Sequence, residues 1–117
     1  MQTKFEFLFI SGLLFCATAM SQNTAFKVAK SYSIKSSGGW DYIAVNKQKL
    51  YVSHGSQVNI LDENSGDSIG FIPGTTGVHG IAFYNDLNKG YTSNGRLDNV
   101  FVFDLNTNKI LKEIATG

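Results

Sequence analysis

The chain has little cysteine, little proline and almost no net charge. Its one cysteine, Cys16, cannot form a disulfide within the chain. Proline also occurs once, while aromatic residues make up 13% of the sequence, and this balance suits β-strands better than disorder. Basic and acidic residues are interspersed and leave a net charge of +1, which gives no electrostatic footprint for nucleic acid or acidic lipid. We therefore expect a β-rich domain that binds no nucleic acid.

Short motifs of common enzymes are missing as well. The sequence has no phosphate-binding loop, no Gly-x-Ser-x-Gly elbow, no His-Glu-x-x-His zinc motif and no cysteine cluster. We therefore expect no cofactor and no bound metal, and we assign no catalytic residue.

The one long apolar run lies at the N-terminus. Lys4 precedes an apolar stretch over 7–17, and small residues follow, with cleavage points that fit after Ala19 or after Ser21. A membrane anchor needs about 20 apolar residues, more than this run supplies. We predict a signal peptide over 1–21, export to the periplasm or beyond the cell, and no membrane span after cleavage.

A lipoprotein signal is the alternative for the same segment. It would make Cys16 the acylated residue, but bulky Phe15 stands where such signals need a small side chain. Cleavage of an ordinary signal removes Cys16, so the mature chain has no thiol nucleophile and no cysteine metal ligand.

The rest of the chain contains two similar copies. Gly39-Trp-Asp-Tyr-Ile-Ala-Val45 matches Gly77-Val-His-Gly-Ile-Ala-Phe83. The offset between matching residues grows from 38 at Gly39 and Gly77 to 42 at Asp62 and Asp104, which indicates short insertions in loops. A period of about 40 residues with four strand-sized blocks per copy is typical of a β-propeller blade.

Each copy has four apolar or alternating blocks separated by short polar turns. The predicted strands are 42–45, 50–53, 58–62 and 68–72, then 81–83, 90–93, 100–104 and 110–114. The first block is mostly apolar, which predicts a strand buried on both faces. No segment carries a sustained helical stripe, so we expect an all-β fold with no substantial helix after the signal.

A further strand is predicted ahead of the first copy. Apolar residues alternate with polar ones between Phe26 and Ile34, as in a half-buried strand. It resembles the outermost strand of a blade whose other three strands lie elsewhere. We expect a signal peptide over 1–21, a leading outer strand that closes the ring over 22–37, and blades over 38–76 and 77–117. The remaining blades are expected in a portion beyond residue 117.

The repeats resemble a known family. Leu50-Tyr-Val-Ser53, Val58-Asn-Ile-Leu-Asp62 and Gly90-Tyr-Thr-Ser-Asn-Gly95 are similar to the YVTN repeat of bacterial YncE-like β-propellers. The resemblance covers the chain from about residue 38 and implies a seven-bladed propeller, exported in many relatives, with no activity common to the family. His54 and Gly90 depart from the pattern. The WD and kelch repeats fit less well, since no Trp-Asp closes the third strand and no double glycine opens the second.

Loops between the second and third strands, together with the crossovers between copies, should share one end of such a domain. Loops at this end are where ligand or partner sites of propellers are expected. The candidate ligand-binding residues mapped to it are Trp40, Asp41, His54, His79, Asn94 and Arg96.

Each candidate also has a purely structural interpretation. His54 and His79 could be ligands or bases, or could bond to loop backbone, and with Asp41 they would make a metal set only if three loops met. Trp40 could stack on a ligand or cap the junction between blades. Arg96 could bind a ligand or pair with a neighbouring carboxylate in solvent.

Two pairs of residues recur at fixed repeat positions. Asp62 and Asp104 end the third strands, where we expect them to cap turns. Tyr51 and Tyr91 recur in the second strands and are expected in the core between blades.

These features predict an exported, non-enzymatic propeller scaffold that binds a protein partner or a small ligand through its loop-rich face. The alternative is a propeller enzyme, such as a lactonase-type hydrolase or an oxidoreductase subunit, with catalytic residues around the central channel. A metal-dependent propeller would need His54 or His79 as a ligand.

Overall fold

A computed structural model describes residues 25–117. The predicted signal peptide over 1–21 lies outside the described residues. From residue 25 onward the chain is all-β, as expected, and its one helical element is a single 3₁₀ turn at Asn85–Leu87. No helix of this described part is long and apolar enough to cross a membrane.

Eight strands form two antiparallel four-stranded sheets. The first sheet contains β1 (Trp40–Asn46), β2 (Lys49–His54), β3 (Gln57–Asp62) and β4 (Ser68–Pro73). The second contains β5 (Val78–Tyr84), β6 (Lys89–Asn94), β7 (Asn99–Asp104) and β8 (Ile110–Ala115). In both sheets the strands lie in chain order, each next to its predecessor. All eight predicted strands are therefore confirmed, each extended at one or both ends.

The two sheets have the same register. Trp40 pairs with His54 in the first sheet as Val78 pairs with Asn94 in the second, and a bulge follows both pairs. A serine of the next strand bonds each bulge: the Ser53 Oγ accepts the Tyr42 N–H at 2.6 Å, and the Ser93 Oγ accepts a backbone N–H of β5 at 2.9 Å. The sequence repeat is thus a structural repeat, residue for residue.

The sheets pack face to face. The inner face of the first sheet includes Tyr51, whose ring centroid lies 4.8 Å from that of Phe83 and 6.2 Å from that of Phe103 in the second. The buried core between them consists of Tyr51, Val58, Ile60, Ile72, Val78, Ile81, Phe103 and Leu105. The core is thus shared between the two sheets, which stabilise each other.

Each sheet also has an outer face that no other sheet covers. In β1 the side chains of Tyr42, Ile43 and Val45 are 48%, 65% and 53% exposed, so the prediction that this strand is buried on both faces is wrong. The strand packs beside β5 on one side only. Tyr91 was also expected in the core, as its counterpart Tyr51 is, but it is only half-buried because no described sheet covers the outer face of the second sheet.

The segment 25–39 forms no strand, contrary to the prediction for 26–34. It is extended and lies on the outer face of the first sheet, with Tyr32, Ile34 and Ser36 half-buried and the residues between them exposed. The predicted period-two burial is therefore confirmed at Tyr32 and Ile34 but is wrong at Phe26 and Val28, which are 100% and 86% exposed. A strand requires a hydrogen-bonded partner, and neither described sheet supplies one here. Closure of a ring by this segment stays a prediction.

The aspartates at the ends of β3 and β7 cap the turns that follow, as predicted. The Asp62 carboxylate accepts the N–H groups of Asn64 at 2.9 Å and Ser65 at 2.8 Å. The Asp104 carboxylate accepts those of Asn106 at 2.9 Å and Thr107 at 2.8 Å. These backbone hydrogen bonds, first that of Ser65 and that of Thr107, lower the pKa of each carboxyl below its ordinary value.

Candidate functional site

One end of the molecule collects the crossovers and the loops after β2 and β6. Four glycines join these segments through backbone hydrogen bonds in series. The Gly55 N–H donates to the Gly39 carbonyl at 3.0 Å, the Gly77 N–H to Gly55 at 2.9 Å, and the Gly95 N–H to Gly77 at 2.8 Å. We call this the loop end. The loops that meet there are the ones that the sequence predicted to share one end of the domain.

At two positions of the loop end the backbones lie so close together that only glycine fits. Gly77 has φ of 71°, and a Cβ there would lie 2.7 Å from the backbone nitrogen of Arg96. Gly38 has φ of 127°, and a Cβ there would lie 3.0 Å from the Cα of Gly55. Neither position tolerates a side chain without displacement of backbone. The glycines therefore hold the loops closely enough to form a defined surface.

A pocket of about 590 Å³ lies at the loop end. Four of the six candidates line it, namely Trp40, Asp41, His79 and Arg96. Hydroxyl-bearing residues complete the polar lining: Ser37, Ser56 and Thr76. Ser56 was also mapped to this end from the sequence, whereas Ser37, Thr76 and the glycine series were not singled out, although the matching glycines at 39 and 77 were visible in the repeat. Its lining is more apolar than polar, and its polar side chains can both donate and accept hydrogen bonds.

Asp41 and His79 meet in this pocket. They occupy corresponding positions of β1 and β5, and the Asp41 Oδ2 contacts the His79 Nδ1. Both side chains stay accessible, at 47% and 65% exposed. A carboxylate on Nδ1 fixes the imidazole tautomer with Nδ1 as donor, which leaves Nε2 with a free lone pair. The pair can therefore bind a donor or accept a proton.

Arg96 lies in the loop after β6 and is exposed. The structural interpretation of Arg96, an ion pair with a neighbouring carboxylate, is not realised within residues 25–117. Its guanidinium therefore remains a donor for a ligand at the pocket.

Trp40 stacks on His54 with centroids 3.8 Å apart and an interplanar angle of 1°. Trp40 as a whole residue is 57% exposed. However, its counterpart in the second sheet, Val78, is buried between the sheets. The correspondence favours the interpretation of Trp40 as a junction residue over that of a ligand platform.

His54 is buried and fully bonded. Its Nε2–H donates to the Gly38 carbonyl at 2.6 Å, and its Nδ1 accepts the Ser36 hydroxyl at 2.6 Å. Asn59 also donates to this Nδ1 at 3.3 Å. His54 therefore anchors the segment 25–39 and has no free nitrogen for a ligand, in agreement with the structural interpretation.

A metal set of His54, His79 and Asp41 is not assembled, because His54 lies below Trp40 and its nitrogens are bonded to protein atoms. Residues 25–117 contain no group of three or more histidine, cysteine or acidic side chains that could hold a metal ion. Only Asp41 and His79 of that set come together.

Asn94, the counterpart of His54, is also buried. Its Nδ2 donates to the Asn99 Oδ1 at 2.8 Å, and the Asn99 Nδ2 donates to Glu113. Asn94 is thus part of a polar network that joins three strands of the second sheet, below the pocket and outside its lining.

Comparison with models of known protein families gives no match for this chain, and comparison with curated proteins gives none either. The fold and the site define residues 25–117 as an all-β repeat of two sheets with a pocket at one end.

Proposed function

We propose that the chain is part of an exported, non-enzymatic β-propeller that binds a small ligand or a protein partner at its loop end. The observation that carries this proposal is the pocket in which the Asp41–His79 pair and the Arg96 side chain are brought together from three separate segments. Concave sites with a few convergent polar groups are the usual sites of ligand recognition.

The propeller itself is supported by the packing of the two sheets. Their first strands, β1 and β5, lie side by side, and their faces stack with matching registers. Each sheet leaves a second face uncovered, as expected where a further sheet belongs on either side. In a YncE-like ring, which we propose has seven blades, the corresponding residues Asp41 and His79 would line the mouth of the channel.

The segment 25–39 gives independent support. Tyr32 precedes Gly70 by the repeat offset of 38, and each lies against the corresponding turn of the following sheet. The Tyr32 ring lies so close to Gly66 that a Cβ there would be 1.9 Å from it, and a Cβ on Gly70 would be 3.0 Å from Asn108. The segment thus packs on the first sheet as β4 packs on the second. This matches the outer strand of a third blade.

Ligand binding can be tested with the single tryptophan of the chain, Trp40, which lines the pocket. We would titrate purified protein with a panel of neutral, anionic and cationic small molecules and with candidate peptides, and follow Trp40 fluorescence and calorimetric heat. Arg96→Ala and His79→Ala are expected to weaken binding by about tenfold each, the loss of roughly one charge-assisted hydrogen bond.

Lys109→Ala, in the turn after β7 at the opposite end, is the control and should bind normally. Absence of binding across the panel, or equal binding by all three variants, would contradict a ligand site at the loop end. Export is tested separately by the mass of the mature protein, which should begin after residue 19 or 21.

A propeller enzyme is the second candidate, and the Asp41–His79 pair favours it. A carboxylate that orients an imidazole with a free Nε2 is the arrangement of a general base. The same purified protein should then hydrolyse lactone or ester probes. Asp41→Asn should lower the turnover while probe binding is retained, whereas a scaffold shows no turnover above that of His79→Ala.

A further inference from the structure

Arg96 and His79 reach the pocket from different segments, and each packs on the backbone of the segment that carries the other. The Arg96 side chain lies over Gly77, just before His79 in the chain, since a Cβ on Gly77 would be 2.7 Å from the Arg96 Cγ. The His79 ring lies against Gly95, the residue before Arg96, since a Cβ there would be 3.1 Å from the His79 Nε2. The two side chains are therefore neighbours in the lining of the pocket.

The charged groups of the lining differ in what they leave for a ligand. Among the described residues, the lining has one guanidinium, that of Arg96, and one carboxylate, that of Asp41. The Asp41 carboxylate contacts the His79 Nδ1, whereas Arg96 forms no ion pair within residues 25–117. A carboxylate of a ligand would therefore be bound by Arg96, whose planar guanidinium matches it with two parallel hydrogen bonds.

The His79 Nε2 offers the second polar contact. Because residue 95 is a glycine, it places no side chain over this nitrogen. A hydroxyl group suits the site, since a hydroxyl can donate to the lone pair of a neutral imidazole or accept from the N–H of a charged one. The hydroxyl-bearing residues Ser37, Ser56 and Thr76 line the same pocket and can bond further hydroxyl groups of a ligand.

We propose that the pocket binds a hydroxy acid, with the carboxylate of the ligand on Arg96 and a hydroxyl group on the His79 Nε2. Binding of a hydroxy acid presupposes the ligand site proposed above for the loop end and specifies what that site takes. Gly95 determines specificity, because a methyl group at its position would occupy the space beside Nε2 that the ligand hydroxyl requires. Asp41 is a positioning residue, which holds the imidazole through Nδ1.

Three compounds with the same carbon chain separate the two contacts. Threonate has a carboxylate and hydroxyl groups, butyrate has the carboxylate alone, and threitol has hydroxyl groups alone. We would titrate each compound into the purified protein and obtain its Kd from the shifts of the backbone amide resonances. We expect threonate to bind about tenfold more tightly than butyrate, the effect of one further hydrogen bond, and about tenfold more tightly than threitol.

The two histidines of the chain provide a control within the same sample. Threonate should shift the resonance of the His79 Nε2, and butyrate should leave it in place. Both ring nitrogens of His54 are bonded to protein atoms, so neither compound should shift their resonances.

Variants of the lining assign each contact to its residue. His79→Phe keeps an aromatic ring but lacks Nε2, so its affinity for threonate should fall to that for butyrate. Gly95→Ala should also lose the preference for threonate, because its methyl group fills the place of the hydroxyl. Arg96→Gln should weaken the binding of both compounds by about tenfold and keep their ratio. Gly70→Ala adds the same methyl group on β4, outside the lining, and should bind both compounds as the wild type does.

Far-UV circular dichroism verifies that each variant keeps its strands, and Gly95→Ala provides the comparison if His79→Phe does not fold. Equal affinities for threonate and butyrate, or a preference for threonate that persists without Nε2, would overturn the hydroxy acid as ligand. Failure of all three compounds to bind, while another molecule of the wider panel binds, would overturn it as well and leave the ligand site in place. Only absence of binding across the whole panel contradicts the site itself.

Discussion

Single residues explain where the two copies of the repeat differ. The first sheet has Leu50 opposite Leu61, and the second has Gly90 opposite Phe103 at the same positions. A Cβ on Gly90 would lie 2.1 Å from the Phe103 ring, so the glycine makes room for the larger side chain. This departure from the repeat pattern is therefore a volume exchange within one pair of core positions.

We predict that Gly90→Ala destabilises the protein, although alanine normally suits a strand better than glycine. The Phe103 ring is completely buried and has no free volume to move into. Overpacking of this kind costs about 1–3 kcal/mol of the free energy of unfolding, measured by urea denaturation.

Gly70→Ala is the matched control, because a Cβ there meets only the end of the Asn108 side chain at 3.0 Å. It should change the free energy of unfolding by less than about 0.5 kcal/mol. The pair Gly90→Leu with Phe103→Leu copies the first sheet and should recover most of the lost stability. An unchanged free energy of unfolding in Gly90→Ala would contradict the interpretation that Gly90 makes room for the Phe103 ring.

At the scale of strands and turns, the capping aspartates predict how stability depends on pH. Both carboxyl groups have a pKa below the ordinary value of 3.8, because backbone N–H groups bond the ionised form. A carboxyl whose pKa is lowered by folding contributes stability that is complete above its ordinary pKa. That contribution is lost as the pH falls through the folded pKa.

We therefore expect the urea midpoint to fall as the pH drops below about 4, and Asp62→Asn with Asp104→Asn to flatten this decline. Asparagine keeps an oxygen that can cap the turn but does not titrate. Asp86→Asn, in the 3₁₀ turn, is the control and should leave the slope unchanged. A decline as steep in the double variant as in the wild type would assign the acid sensitivity to other groups.

Elements also differ in how far sequence could predict them. The eight strands and their turns follow from local signals, namely alternation, turn residues and the repeat itself. The segment 25–39 could not be predicted as unpaired, because the alternation from Tyr32 to Ser36 reports burial and says nothing of hydrogen-bonded partners. Exposure of β1 was missed for the same reason, since an apolar strand is buried only where a neighbouring sheet covers it.

The candidate site was predicted in part. The loop end follows from the topology of a four-stranded meander, and Asp41 and His79 were both assigned to it. Their contact depends on how β1 packs beside β5, which no local pattern encodes. His54 and Asn94 were placed at the correct end, but both are buried. His54 bonds to the segment 25–39, and Asn94 bonds to the neighbouring strand β7.

For the molecule as a whole, the shared core has a consequence for folding. Neither sheet buries its inner face without the other, since Tyr51 and Ile60 of the first lie against Ile81 and Phe103 of the second. In repeat proteins, such interfaces couple the stabilities of neighbouring units. The described part should therefore unfold as one cooperative unit.

The single tryptophan makes this testable, because Trp40 lies in β1 and stacks on His54 of β2, so its fluorescence follows the unfolding of the first sheet. We predict that Ile81→Val, a change in the second sheet, shifts the urea midpoint of Trp40 fluorescence and that of far-UV circular dichroism together, at a cost of about 1 kcal/mol. Leu111→Ala, an exposed change on β8, is the control and should shift neither. If the urea midpoint of Trp40 fluorescence stayed unchanged while the dichroism midpoint shifted, the first sheet would be stable alone. The two sheets would then be independent folding units that contact each other, and the prediction of one cooperative unit would be wrong.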